Sequence, residues 1–112
     1  MWTWSLGIFL VLHGVTHAFW PSYGPTRSWL LGDARGASVA LWIAATALFA
    51  ITGLALILHQ PVWRTLALVA AIESLVLLVL FWDRGLFVGL AINLALLTAL
   101  WARWPSPRLL GA

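Results

Sequence analysis

The chain has 112 residues, of which 63% are hydrophobic and 8% are charged. Soluble domains are about 45–50% apolar and about 25% charged, so the few ionised side chains here cannot cover a water-soluble surface. Cysteine is absent, which excludes disulfides and thiolate metal ligands. The basic residues are all Arg and are scattered, which does not indicate a nucleic-acid surface. The composition therefore predicts a protein that is embedded in a lipid bilayer.

Four apolar segments, each near the roughly 20 residues that cross a bilayer as a helix, divide the chain. The first covers 4–20, and the absence of a preceding basic residue favours a span over a signal peptide. Residues 21–36 contain Gly and Pro and are predicted to be a loop. Further spans follow at 38–58, 62–82 and 85–104. Because short connections imply antiparallel neighbours, we expect a single all-α domain, 1–112, an integral membrane four-helix bundle running up-down-up-down.

Tryptophan marks the ends of these spans. Trp prefers the membrane–water interface, so each Trp near a span end is predicted to be an anchor. Trp29, Leu30 and Leu31 of the first loop are placed on the membrane surface. Asp83 is predicted to cap the fourth helix, and Pro61 suits the first position of the third. The predicted anchors are Trp4, Trp20, Trp42, Trp63, Trp82, Trp101 and Trp104.

The distribution of Arg decides little about orientation. Three Arg fall on each side of the predicted bundle, and basic residues are what set topology. The N-terminal amine favours cytoplasmic termini. We expect a multipass protein of the plasma membrane, which in a bacterial cell is the inner membrane.

Polar residues inside the spans indicate where function lies, because ionisable groups in a bilayer are expensive and usually functional. His13 and His17 lie in the first span, Glu73 in the third and Asn93 in the fourth. Counting about 1.5 Å per residue from one membrane face places His13, Glu73 and Asn93 at a shared depth of roughly 10–14 Å. His17 lies one turn above His13 on the same face. We predict that these four form a ligand-binding cluster that opens towards the first loop.

Small residues support close packing of the helices around this cluster. Gly85, Gly89 and Asn93 recur at every fourth position, and such stripes let helices approach closely in lipid. Gly14 is expected to do the same in the first span. Thr46 and Thr52 of the second span lie within reach of the cluster depth.

Several chemistries are compatible with these residues. His13 and His17 at i and i+4, with Glu73, would make a His₂–carboxylate metal set. Haem is harder to place, because the two histidines share one helix face and cannot both ligate one iron. A quinone or an isoprenoid is the third ligand class. Structural alternatives stay open: a neutral Glu73 carboxyl bonded to a neighbouring helix, histidines bonded across helices, and Asn93 joining two helices.

Whether the protein is an enzyme stays open. The leading hypothesis is a membrane-embedded site for a small apolar or redox-active ligand. A second is a proton-coupled small exporter that uses Glu73 and pairs with an antiparallel copy. A third is an accessory subunit of a membrane complex, whose polar cluster only sets helix packing. A homo-oligomer is compatible with each hypothesis.

Three sequence elements resemble those of a known group of proteins. His13-Gly14-Val15-Thr16-His17, Glu73 in the third span, and Trp82 through Gly89 to Asn93 look like the H-G-x-x-H element, the third-helix polar residue and the fourth-helix motif of small bacterial four-span proteins. Their layout is similar to DoxX-like proteins. The resemblance implies a four-helix membrane fold and, in part, an association with quinone-linked redox chemistry. In similar chains the third-helix residue is often Gln, so Glu73 departs from the pattern.

Overall fold

The computed structural model describes residues 2–18, 27–82, 87–106 and 108. Four α-helices make up most of this part: α1 (Trp2–Ala18), α2 (Arg35–Ile57), α3 (Trp63–Leu80) and α4 (Phe87–Trp101). The prediction of an all-α protein with four helices is confirmed. The predicted roles of Trp20, Asp83 and Gly85 lie outside the described residues.

Between α1 and α2, the predicted loop contains a short hairpin. Strand β1 (Arg27–Ser28) pairs antiparallel with β2 (Gly32–Asp33), with Ser28 opposite Gly32. Ser28 Oγ accepts hydrogen bonds from the backbone N–H groups of Leu30 and Leu31, both at 3.1 Å. Helix α2 then begins at Arg35, three residues before the predicted start.

Close packing of α1 on α2 depends on glycine. A Cβ on Gly53 would lie 2.5 Å from the Gly7 carbonyl oxygen and 2.6 Å from Val11 Cγ2. A Cβ on Gly14 would lie 2.8 Å from Phe49 Cβ. The predicted close approach at Gly14 is therefore present. At Gly89 the nearest atoms to a Cβ are 3.8 Å away, so that position does not need glycine, contrary to the expected Gly85–Gly89 stripe.

Helices α2 and α4 end in the same way. His59 and Arg103 each have φ 55° and follow the helix end. The Gln60 N–H donates to Ala55 O at 2.8 Å, and the Trp104 N–H donates to Ala99 O at 2.8 Å. These are Schellman motifs, which satisfy carbonyls left free at a helix C-terminus. Helix α4 thus ends a turn before Pro105, and α3 begins at Trp63, two residues after Pro61.

The core lies where α1, α2 and α3 meet. Leu10, Phe49, Leu56 and Ala70 are buried together there. Trp63 joins this core, and Trp42 packs in a second cluster with Leu77 and Leu78. The prediction that Trp42 and Trp63 anchor the chain at an interface is wrong, because both rings fill interior space between helices. Six other tryptophans are at least 41% exposed, at Trp2, Trp4, Trp29, Trp82, Trp101 and Trp104.

Length and hydropathy single out two helices. Arg35–Ile57 and Trp63–Leu80 are long and apolar enough to cross a membrane, with mean hydropathy of 2.2 and 1.9 over their most apolar windows. Helix α4 is apolar but shorter, at 15 residues.

Candidate functional site

A chain of hydrogen bonds joins three helices at the centre of the bundle. His17 Nδ1 lies 2.9 Å from the carbonyl oxygen of His13, one turn earlier in α1. His17 Nε2 lies 3.2 Å from Ser74 Oγ of α3. Asn93 Nδ2 of α4 donates to the same Ser74 oxygen at 2.8 Å. Helices α1, α3 and α4 are thus connected through side-chain atoms that are all buried.

The donors and acceptors in this chain can be assigned from its chemistry. The His13 carbonyl only accepts, so Nδ1 of His17 carries the proton, and Nε2 of the neutral ring accepts. Ser74 then donates its single hydroxyl proton to His17 and accepts from the Asn93 amide. This order fixes the orientation of the Asn93 amide and directs its Oδ1 away from Ser74.

Aromatic rings from α1 and α2 surround the two histidines. The His13 and His17 ring centroids are 4.9 Å apart and nearly perpendicular. Phe49 lies edge-to-face with His13 at 4.7 Å and nearly parallel to His17 at 5.6 Å. Trp42 is 4.9 Å from His17. All four helices therefore contribute to the site, which we call the polar cluster: His13, His17, Ser74 and Asn93, with Trp42 and Phe49 beside it.

Two atoms of the polar cluster lack a hydrogen-bond partner among the described residues. They are Nε2 of His13 and Oδ1 of Asn93, both closed to solvent. The Asn93 side chain interacts with the His13 imidazole, but outside the geometry of a hydrogen bond. His13 is 7% exposed and Asn93 is 0% exposed. Buried polar groups almost always find a partner, and here the His13 imidazole and the Asn93 side chain face each other.

Glu73 does not take part in the polar cluster. Successive residues of a helix are about 100° apart, which turns Glu73 away from the face that carries Ser74. Neither carboxylate oxygen has a hydrogen-bond partner in the described part of the chain. The structure thus brings together three of the four predicted residues, His13, His17 and Asn93, and leaves Glu73 on the flank of α3.

A metal site is not assembled in this arrangement. Among the described residues, no three His, Asp or Glu side chains converge so as to hold an ion. In addition, both ring nitrogens of His17 already make hydrogen bonds. The predicted set of His13, His17 and Glu73 is therefore not formed, because Glu73 lies on a different face of α3.

The threonines of α2 bond within their own helix. Thr46 Oγ1 donates to Trp42 O at 2.9 Å, and Thr52 Oγ1 donates to Leu48 O at 2.6 Å. Neither hydroxyl bonds to the polar cluster. The cluster is predicted to open towards the first loop, 21–36, of which residues 21–26 lie outside the described residues.

Sequence reasoning missed Ser74, although a signal for it exists. Small residues recur at Ala67, Ala70, Ala71 and Ser74, spaced 3 and 4 apart, which is the pattern of one helix face. All four are buried. That face passes through Ser74 and excludes Glu73, so the spacing would have identified the serine.

Comparisons of this chain with protein-family models, with curated proteins and with solved structures found no match. The resemblance to DoxX-like proteins therefore stays a prediction.

Proposed function

We propose that this chain is a multipass membrane protein whose four helices all cross the bilayer and whose polar cluster binds a small apolar ligand from the lipid phase. A quinone or an isoprenoid is the ligand class we favour. The membrane crossing is supported by where the side chains lie: polar ones are buried between helices, whereas many apolar ones face outward. Within Phe87–Trp101, the single buried residue is Asn93, while Val88 and Leu94 of the same helix face outward.

Buried polar side chains and exposed aliphatic ones also occur in the other helices. His13, His17, Thr52 and Ser74 are buried. Large aliphatic side chains at the middle of the helices, such as Ile72, are about half exposed. In water this distribution loses the free energy of apolar burial, whereas in lipid the outward side chains are solvated. A bilayer is the solvent that fits this surface.

Dimensions support a crossing by α2. At about 1.5 Å per residue, α2 is roughly 34 Å long, which exceeds the roughly 30 Å hydrocarbon core of a bilayer. The exposed tryptophans lie near helix ends: Trp2 and Trp4 at the start of α1, and Trp101 and Trp104 at the end of α4. Trp2 and Trp104 contact edge-to-face with centroids 5.9 Å apart. Exposed Trp at helix ends is the pattern of an aromatic belt.

Ligand binding is supported by the two unpartnered atoms. His13 Nε2 and Asn93 Oδ1 are held by a network that already satisfies His17 and Ser74. A ligand with a polar group on an apolar body would complete the hydrogen bonds and leave its body in contact with aliphatic side chains.

The test is to identify what purifies with the protein. We would purify it in mild detergent, record the absorption spectrum and analyse the extracted lipids by mass spectrometry. We expect a stoichiometric apolar compound that is lost in His13→Phe and kept in His59→Phe, since His59 is exposed and distant from the polar cluster. Equal recovery from both variants would contradict a ligand site at His13 and favour a structural subunit.

A further inference from the structure

A groove of about 450 Å³ runs between α3 and α4 at the end of the bundle where α3 begins and α4 ends. It is separate from the polar cluster. Its wall contains one charged side chain, one hydroxyl and four large apolar side chains: Arg64, Thr65, Leu68, Leu97, Leu100 and Trp101.

Polarity changes along this groove in one direction. Arg64 and Thr65 lie in the first turn of α3, and Leu68 lies one turn further into the bundle. Leu97 of α4 likewise lies one turn inside the helix end at Trp101. If α3 and α4 cross the bilayer, the charged part of the groove is at the membrane edge and the aliphatic part is in the hydrocarbon. A lipid has the same order of head group and acyl chain.

Arg64 is held in place by neutral groups. Its Nη2 donates to the carbonyl oxygen of Pro105, and its guanidinium lies 4.7 Å from the centre of the Trp63 ring. Its Nη1 has no hydrogen-bond partner among the described residues. These contacts fix the guanidinium beside the groove and leave its charge without a counter-ion.

The described acids are too distant to neutralise Arg64. Glu73 lies nine residues further along α3, about 13 Å away along the helix axis. Asp33 precedes α2, whose first residue lies at the opposite end of the bundle. Arg103, which follows α4, adds a second positive charge at the end of the bundle that holds Arg64. The charge at this end therefore favours an anion.

We propose that the groove binds an anionic phospholipid of the surrounding bilayer. Its phosphate lies beside Arg64 and Thr65, and one acyl chain lies along Leu68 and Leu97. Anionic lipids are attracted to basic residues at the membrane surface, and a guanidinium pairs strongly with a phosphate. This inference rests on the proposed membrane crossing and concerns a different site from the polar cluster.

The experiment compares two lipids with the same acyl chains, dioleoyl phosphatidylglycerol and dioleoyl phosphatidylcholine. In the second lipid, the choline balances the phosphate charge. The full chain in mild detergent is titrated with each lipid, and the bound lipid is counted by native mass spectrometry. We expect the first phosphatidylglycerol to bind about tenfold more tightly than phosphatidylcholine, since one charge-assisted hydrogen bond is worth about this factor.

Variants of Arg64 test the contribution of its charge. Arg64→Gln is expected to lower phosphatidylglycerol affinity about tenfold and to leave phosphatidylcholine affinity unchanged. Arg64→Lys keeps the charge and an N–H donor for Pro105, so it should retain the preference. Arg35→Gln removes the same charge from an exposed position at the opposite end of the bundle and should bind as the unmodified protein does.

A substitution in the groove tests whether the acyl chain lies there. Leu97→Trp places a large side chain in the groove and retains every Arg, so phosphatidylglycerol affinity should fall. Leu94→Trp is the matched control, because Leu94 is on the same helix, is 49% exposed and does not line the groove. Circular dichroism checks that both variants keep their helices.

Three results would overturn the inference. They are equal affinity for the two lipids, an equal loss in Arg64→Gln and Arg35→Gln, and an unchanged affinity in Leu97→Trp. None of these measurements involves His13, so the compound that purifies with the protein tests the proposed ligand site independently.

Discussion

Ser74 is the residue on which the polar cluster depends. Its hydroxyl joins two other helices, by bonding to His17 of α1 and Asn93 of α4. Hydrogen bonds between membrane helices contribute on average about 0.6 kcal/mol and up to about 1.7 kcal/mol. Two of them at one atom therefore make Ser74 a larger contributor than its size suggests.

Replacing Ser74 with Ala should destabilise the protein by about 1–2 kcal/mol, because His17 Nε2 and Asn93 Nδ2 both lose their partner. The matched variant is the neighbouring Glu73→Gln, which we expect to change stability by less than about 0.5 kcal/mol, since the carboxylate oxygens have no hydrogen-bond partner in the described residues. Equilibrium unfolding in mixed micelles, followed by circular dichroism, measures both. A larger loss for Glu73→Gln than for Ser74→Ala would contradict this assignment.

Glu73→Gln also separates the proposed ligand site from the exporter hypothesis. The polar cluster does not include Glu73, so the amount of apolar compound that purifies with Glu73→Gln should match that of the unmodified protein. An exporter that exchanges a proton at Glu73 would lose transport in this variant. Proton-driven efflux of a hydrophobic cation from vesicles, lost in Glu73→Gln, would favour the exporter.

Three of the cluster residues could be predicted from the sequence for a clear physical reason. A His or Asn inside an apolar span avoids lipid by facing the bundle interior. Glu73 does not face the polar cluster. It lies on the flank of α3, and its carboxylate oxygens are closed to solvent. Ser74 could not be recognised by polarity, since a single hydroxyl costs little in lipid and commonly bonds to its own helix.

At the scale of the helices, glycine sets how α1 and α2 pack. Gly7 and Gly53 face each other so closely that neither has room for a Cβ. This contact holds α2 against α1 and positions Phe49 beside His13 and His17. The sequence predicts close packing at Gly14, but the Gly7–Gly53 pairing depends on the register between two helices, which no spacing within one helix reveals.

Gly53→Ala should destabilise the protein by about 2–3 kcal/mol, because the new methyl group would meet the Gly7 backbone, which cannot rotate away. Gly89→Ala is the control: its Cβ makes only ordinary contacts with Leu78 at 3.8 Å. Alanine is also the better helix former by about 1 kcal/mol, so this variant should be neutral or slightly stabilised. Unfolding in mixed micelles gives both values, and equal effects would contradict the packing described.

The left-handed residue after α2 offers a further prediction. His59 has φ 55°, a conformation that costs a residue with a Cβ roughly 1 kcal/mol. His59→Gly should therefore raise the free energy of unfolding by about 0.5–1 kcal/mol. His59→Ala should give no gain, because alanine retains the Cβ. A gain in both variants would show that the imidazole, rather than the backbone, was unfavourable.

At the scale of the whole molecule, the solvent around the helices decides whether their exposed side chains are favourably placed. The described helices bury His13, His17, Ser74 and Asn93 and expose many of their Leu, Ile and Val side chains. The composition predicts this arrangement, and the four-helix fold agrees with it. The bounds of the helices differ from the predicted spans by a few residues, because the Schellman motifs at His59 and Arg103 end α2 and α4, whereas hydropathy only follows apolar content.

The most direct test uses the absence of native cysteine. Single cysteines would be placed at Asp33, Ala47 and Gln60, which are before, within and after α2 and are all exposed in the structure. Each variant, in sealed vesicles, is treated with a membrane-impermeant maleimide before and after permeabilisation. We predict that Ala47→Cys stays unreactive throughout, and that the fractions of Asp33→Cys and Gln60→Cys labelled before permeabilisation add up to the whole population. Rapid labelling of Ala47→Cys, or labelling of Asp33→Cys and Gln60→Cys from the same face, would contradict a membrane-crossing α2.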